Sequence, residues 1–564
     1  MPIDGTIVAS RAQKLAVVRG VPVHPVADIA AMATSTTARR RRITVLSLTG
    51  RRTGSDGDPH ILVMAFVSVR SATLLGIHGA PVDVEVHVGG GLPGFSIVGQ
   101  PDEACRESRD RVRAALLSSG LPWPNRRVTI NLAAPMPHRK GGSGLDVAIA
   151  VGLLVVQDVV PAAAIASCAF IAELGLDGAL RGVAGAVPLA AAVGAPRVVV
   201  SRADERQARV AARCDVVAAA DVAELVRCLL GDEPWPSPVA VMHDSDVDSA
   251  EPDLADVRGQ PAARIALEVS AAGGHHLLLV GPPGAGKSML AHRLASVLPR
   301  LSGDDAVETT VVHSAAREPL PSGGLVVRPP LRSPHHSASL TAMVGGGTAA
   351  MRPGEVSLAT NGVLFLDELG EFAPSVLDAL RQPLEDGVVR LARARTSVIM
   401  PARFLLVAAT NPCPCGEGSP GTCRCDDRAR QRYLRRFSGP LLDRFDLRVA
   451  VSRPCASDLL SREGGESSST VAARVAQARA GAISRAGVLN GSLAPAALDE
   501  VAPLDAGATA TLRRELEAGS LSARGYHRVR RVARTLADLD GAPDVIGEGH
   551  VAAALALRAH VHRG

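Results

Sequence analysis

Leu277–Ser288 reads LLLVGPPGAGKS, a short apolar run that empties into a glycine-rich turn. Gly281, Pro282, Pro283, Gly284, Ala285, Gly286, Lys287 and Ser288 satisfy every fixed position of the phosphate-binding pattern G-x-x-x-x-G-K-[ST]. Such a loop turns backbone N–H groups inward around phosphate oxygens, and the helix that opens at Lys287 points its positive end at them. Lys287 is placed to reach the β and γ phosphates, and the Ser288 hydroxyl to ligand Mg²⁺. The flanking pattern is the one the motif demands, a buried strand before it and a helix, MLAHRLASVL, after it.

Downstream, NGVLFLDELGEF is a second continuous apolar run, Val363 to Leu366, ending in Asp367 and Glu368. An acidic pair at the tip of a buried strand, with a complete phosphate loop upstream, has the form of a Walker B element. Asp367 then helps to hold Mg²⁺, and Glu368 positions or deprotonates the attacking water. A third run, FLLVAAT, delivers Asn411 to its end.

The 564 residues are enough for about three or four domains. The chain is 47% hydrophobic with two Trp and two Tyr, so its cores are built from Ala, Val and Leu. A formal net charge of +5 means that any basic binding surface is local. No apolar run reaches the roughly 20 residues of a membrane span, and LDVAIAVGLLVV has the length of a core helix. We expect a soluble, cytoplasmic protein. Residues 1–63 lack a sustained period and carry Arg39, Arg40, Arg41 and Arg42, a run that fits a solvated, disordered leader better than a nucleic-acid contact. Met64 stands where alternation begins, and is an alternative start.

Residues 64–231 read as α+β or α/β. VDVEVHV and RVTINLA alternate like half-buried strands, ESRDRVRAALLSSG is an amphipathic helix closed by glycine, Val187 to Val193 is helical, and RVVVS is a strand. GLPGFSIVGQPDEACRES, RVTINLAAP and HRKGGSGLDVAIAVGLL resemble the Lon-protease-like (S5-like) domain at the front of ComM/YifB-type proteins. The resemblance puts Ser143 where a Lon-like nucleophile sits, but Val187 occupies the position of the dyad lysine, and a serine without a base is a weak nucleophile. Ser143 is therefore read as a turn residue. Residues 232–256, proline-bearing and acidic, read as a linker to an ATPase core at 257–456, and residues 457–564 as a helical domain.

GGHHLLLVGPPGAGKS, RSPHHSASLTAMVGGG, PGEVSLATNGVLFLDELGEF, LRQPLEDG, NPCPCG and SGPLLDRFDL together resemble the magnesium-chelatase-like AAA+ ATPases of the YifB/ComM group. The resemblance implies an α/β fold in which the Lon-like domain precedes a P-loop ATPase with a parallel sheet and a C-terminal helical lid. It implies ATP and Mg²⁺ as ligands, a ring, expected to be a hexamer, and for the competence branch a helicase driving branch migration on single-stranded or branched DNA. Residue by residue, it makes Asn411 the sensor of the γ-phosphate and Arg444 an arginine finger reaching a neighbouring subunit. Arg435 and Arg436 are lesser candidates, and a local ion pair with Asp443 or Asp446 is the other reading of Arg444. Arg524 becomes the second sensor, with Arg528 as runner-up, and Val257 and Gln260 lie near the adenine. A magnesium-chelatase motor subunit and a Lon-like ATP-dependent protease are the rival functions.

VVRLARARTSVIM reads as two strands around a turn carrying Arg390, Arg393 and Arg395, and resembles the pore hairpin of this branch. Its guanidinium groups would contact phosphates without reading bases, unless the hairpin is simply a solvated basic surface. Arg332, His335, His336 and the Gly345, Gly346, Gly347 run add to the same expected surface. Finally, Cys413, Cys415, Cys423 and Cys425 form C-P-C-x₇-C-R-C, four thiols that suit a structural Zn²⁺ or remain reduced loop cysteines. Cys105, Cys168, Cys214, Cys228 and Cys455 are expected to be buried small hydrophobes.

Overall fold

The computed structural model describes residues 65–135, 141–238, 252–347, 351–393, 396–417, 423–434, 436–437, 439–460, 464–541 and 544–558. The expected leader, Arg395 and Arg435 lie outside them. The amino-terminal body is a seven-stranded mixed sheet. Its centre is an antiparallel hairpin, Ala65–Leu75 and His78–Gly89, in register from Ala65↔Val88 to Leu75↔His78. Arg127–Ala133 and Gly94–Val98 extend one side, and Cys168–Ile171, Arg197–Ser201 and Asp215–Ala219 extend the other as parallel strands. Along the second strand Val82, Val84, Val86 and Val88 are buried, as the alternation requires. The apolar run after Ser143 forms the helix Asp146–Val156, which closes over this sheet with nearly every side chain buried.

The second body holds five strands, all parallel, in the spatial order Leu331–Arg332, Val363–Leu366, Leu405–Thr410, Leu277–Val280 and Leu447–Ala450. Both faces are covered, so its strands are continuous apolar runs rather than alternating ones. Leu277, Leu279, Val363, Phe365, Val407 and Ala409 enter one core, while Leu278, Leu364, Leu366, Leu406 and Ala408 enter the other. The first of these cores is shared with the C-terminal helices, of which Ser468–Ala486, Ala506–Glu517 and Ala523–Leu539 start where Ser467, Asp505 and Ser522 accept a backbone N–H. Residues before Val257 also pack into this second body. Leu254 is already in the core, and Asp253 accepts the Ser468 N–H at 2.9 Å.

The two bodies meet through packed contacts. Ile77, at the tip of the amino-terminal hairpin, clusters with Val312, Ala315, Met351, Leu358, Val398 and Met400. The Ser314 carbonyl accepts the Gly185 N–H at 2.8 Å, and its hydroxyl accepts the Val187 N–H at 3.3 Å. No described helix is long and apolar enough to cross a membrane.

Candidate nucleotide site

The strand Leu277–Val280 ends at Gly281 and the helix Lys287–Val297 begins six residues later. Between them Gly284 and Gly286 adopt φ of +77° and +87°, a left-handed turn that side chains resist. Lys287 is 8% exposed; its Nζ donates to the carbonyl oxygens of Gly281 (2.7 Å) and Pro282 (3.0 Å) and to Asn411 Oδ1 (3.1 Å). Burial pushes its pKa down, against the pull of the Asp367 and Glu368 carboxylates. Ser288 Oγ donates to Asp367 Oδ2 at 2.6 Å. The neighbouring strands are in register, Leu366 opposite Ala408 and Val280 opposite Thr410, so parallel pairing alone brings these groups to one edge of the sheet. A hydroxyl and a carboxylate are hard oxygen donors of the kind Mg²⁺ prefers.

Glu368 departs from the simple sequence picture. It sits at φ +51°, and its Oε2 lies 3.3 Å from His336 Nδ1. His336, expected on a nucleic-acid surface, is instead turned to the Walker B acid, and His335 pairs with Ser337 at 2.8 Å. Arg332, expected on the same surface, is committed to Glu355 (2.7 and 2.9 Å) and Glu318 (3.1 Å). Nothing in the sequence announced this partner for the histidine. Gln260 bridges the carbonyls of Ala285 and Ser452, behind the phosphate loop. The Val257 side chain is sealed in the core, so only its backbone can face a base.

Arg444, Arg524 and Arg528 lie together toward the opposite end of the sheet. Asp446 N–H donates to the His276 carbonyl at 3.1 Å, where the strand leading to the phosphate loop begins rather than ends. Arg444, two residues earlier, pairs with Glu385 and not with Asp443 or Asp446, and its Nε is buried without a partner. Burial, then Arg528, Arg524 and Arg381 in turn, lower its pKa, so these guanidiniums share one neighbourhood. Arg528 is held by Asp446 at 3.0 Å, while Arg524 is exposed. Arg436 donates to the Gly370 carbonyl at 2.7 Å.

The hairpin is present as Val388–Arg393 paired with Thr396–Pro401. Arg390 is exposed on it; Arg393 lies on its first strand, and Arg395 falls outside the described residues. The sulfur atoms of Cys413, Cys415, Cys423 and Cys425 all lie within 4.8 Å of one another. Backbone hydrogen bonds from Glu417 and Arg424 bring the Cys415 thiol down to about 5. Cys455 is exposed and Cys214 half-buried, contrary to expectation; Cys105, Cys168 and Cys228 are buried. Ser143 Oγ donates to Glu173, and Val187 is fully buried.

Competence protein ComM of Haemophilus influenzae is 40% identical to the chain over 504 residues, 88% of this chain and 98% of its own length. The chain belongs to the magnesium-chelatase-like YifB/ComM family. The uncharacterised protein YifB of Escherichia coli is 41% identical over 500 residues, 88% of this chain and 97% of its own. The Magnesium-chelatase 38 kDa subunit of Cereibacter sphaeroides is 29% identical over 194 residues, 32% of this chain and 51% of its own. Family models match residues 253–459 (magnesium chelatase, subunit ChlI), 84–203 (subunit ChlI of Mg-chelatase) and 465–558 (magnesium chelatase, subunit ChlI C-terminal). Membership of this AAA+ family implies an ATPase motor that takes ATP with Mg²⁺, of a kind that is typically oligomeric. Lys287, Ser288, Asp367 and Asn411 lie together where such a ligand would sit.

Proposed function

We propose that this protein is a ring-forming, ATP-driven motor acting on DNA, a ComM-like branch-migration helicase serving recombination of incoming DNA. The observation that carries the motor is the separation of its parts. Lys287, Ser288, Asp367, Glu368 and Asn411 occupy one end of the parallel sheet, and Arg444 the other. An arginine so far from its own phosphate loop acts on the next subunit's site, which makes each pocket a shared one.

In this reading the loop N–H groups and Lys287 grip the phosphates, and Asn411 holds Lys287 in place. Ser288 and Asp367 would hold a magnesium ion, which would supply neutralisation of the phosphate charge. Glu368 orients the attacking water and accepts its proton. Arg444 stabilises the charge on the transferring group of the adjacent protomer, and Arg524 serves as the second sensor of bound nucleotide. The C-terminal helices form the lid. Arg390, Arg393 and Arg395 contact the DNA backbone through their charge, and aromatic platforms for stacking bases are scarce. The four cysteines hold a structural Zn²⁺.

The chelatase-subunit reading draws on a relative matched over 32% of the chain, against 88% for ComM. The amino-terminal domain keeps a Lon-like architecture without its chemistry, because Ser143 faces Glu173 rather than a lysine. Unwinding of a forked DNA junction by wild type, Lys287→Ala and Glu368→Gln tests the proposal. Both variants lose unwinding, the second while still binding ATP. Unwinding that survives either change removes the motor from the mechanism, and ATP turnover stimulated by a porphyrin but not by DNA would favour the chelatase role.

A further inference from the structure

The cysteine cluster is built against the nucleotide site. Cys413 follows Asn411 by two residues, at the end of the strand Leu405–Thr410, and is buried. Three of the sulfur–sulfur separations are 3.3, 3.5 and 3.6 Å. They are close to the about 3.8 Å edge of a tetrahedron with Zn–S bonds of about 2.3 Å, and far longer than the about 2.05 Å of a disulfide. Gly416, at φ +86°, lies so close to the phosphate loop that an added Cβ would stand 2.6 Å from Pro283 Cδ. Arg453 ties the same two loops together, donating to the Pro283 carbonyl at 3.3 Å and to Glu417 Oε1 at 3.0 Å. One face of the knuckle therefore rests on the second proline of GPPGAGKS, and its root continues into Asn411.

We propose that the tetrathiolate knuckle is a wall of the nucleotide pocket, and that its loading with a soft divalent cation, Zn²⁺, sets how tightly the motor holds nucleotide. The inference rests on the zinc reading given above and adds a consequence to it. A filled knuckle fixes Gly416 and Glu417 and through them Pro283; an empty one loosens Gly416 and Glu417, and with them the back of the phosphate loop. Metal then acts on affinity for nucleotide, and does so without touching the phosphates.

The test measures zinc per chain and, separately, binding of a fluorescent ATP analogue to the full-length protein. Three forms of wild type are compared, as purified, after treatment with a zinc chelator, and after zinc is returned. Cys415→Ser and Glu417→Gln complete the set. We expect one zinc per chain in wild type, loss of about tenfold in nucleotide affinity on chelation, and recovery on adding zinc. Cys415→Ser should behave like the stripped protein. Glu417→Gln should keep its zinc yet bind nucleotide about two- to fivefold more weakly, because it cuts only the bridge through Arg453. Wild type without zinc, and without uptake of it, overturns the metal reading itself. Zinc that comes and goes with nucleotide affinity unchanged leaves the metal structural and overturns the coupling. Should Cys415→Ser fail to fold, the chelation cycle and Glu417→Gln decide alone.

Discussion

The imidazole of His336 stands 3.3 Å from the Glu368 carboxylate, so the acid expected to activate water is held by a residue on another loop. Glu368 also carries φ +51°, a conformation of about 1 kcal/mol or more for a residue with a side chain. We expect this contact to hold back the carboxylate as a base. His336→Ala should therefore raise ATP turnover in the absence of DNA by a few fold and shrink the stimulation that DNA gives. Steady-state hydrolysis with and without forked DNA measures both. An unchanged ratio would mean that the pair has no part in control.

Glu368→Gln should lower turnover by on the order of 10² to 10⁴, the range expected for a lost general base, and leave ATP binding within a few fold of wild type. Lys287→Ala should instead abolish binding. Lys287 offers a direct check, since Lys14 and Lys140 are the only other lysines in the sequence. A lysine-reactive acyl phosphate of ATP should modify Lys287, and excess ATP should protect it, as read by peptide mass spectrometry. Labelling of Lys287 that ATP does not diminish would place the nucleotide elsewhere.

Much of this was legible before the structure because the signals are local. Three apolar strands ending in GPPGAGKS, Asp367–Glu368 and Asn411 carry their own periodicity, and parallel pairing then forces their tips together. The helical character of residues 457–564 is likewise written in the chain, while the capping by Ser467, Asp505 and Ser522 is seen only in the structure. Pairings between distant elements leave no such trace. His275 lies between Asp446 and Thr535, 171 and 260 residues away, and nothing in GGHH announces either partner. The same holds for His336 with Glu368 and Arg332 with Glu355. Histidines and arginines on polar loops read as solvent-facing until a tertiary neighbour claims them.

That buried network sets an acid limit on stability. Burial holds His276 neutral and brings its pKa down from 6.5 to about 4, with Arg528, His275 and Arg444 adding to the effect and Asp446 opposing it. Its Nδ1 accepts the Leu406 N–H at 3.0 Å, a bond that needs the neutral ring. In the unfolded chain the ring protonates near 6.5, so between pH 6.5 and 4 the unfolded state binds more protons. Stability is full above that window and falls as pH drops through it, by about 2 kcal/mol at pH 5. A second loss begins below the ordinary range of Asp446. Burial would raise its pKa, but His275 and Arg528 outweigh that and hold it at about 2. His276→Gln keeps an acceptor for Leu406 and should flatten urea-unfolding stability between pH 4.5 and 6.5, and an unaltered slope would assign the acid sensitivity elsewhere.

Arg444 gives the most exacting prediction, because its neighbour Asp446 is bonded to the His276 carbonyl, where the strand leading to the phosphate loop begins, and we propose that Arg444 serves the next subunit's pocket. Arg444→Ala should lose hydrolysis by on the order of 10³ to 10⁵ while still binding ATP, and Lys287→Ala should be equally inactive. Mixed in one ring, the two dead variants should restore each other. A pocket between an Arg444→Ala subunit, which keeps Lys287, and a Lys287→Ala neighbour, which keeps Arg444, is complete whenever the two meet in the right order. Random assembly around a head-to-tail ring makes that roughly one site in four. ATP turnover in the mixture should accordingly reach up to about a quarter of wild type, appear only after subunit exchange, and vanish with the double variant. If Arg444 served the pocket of its own chain, no mixing ratio would recover activity, and the guanidinium beside Glu385 would be a structural ion pair with no role in hydrolysis.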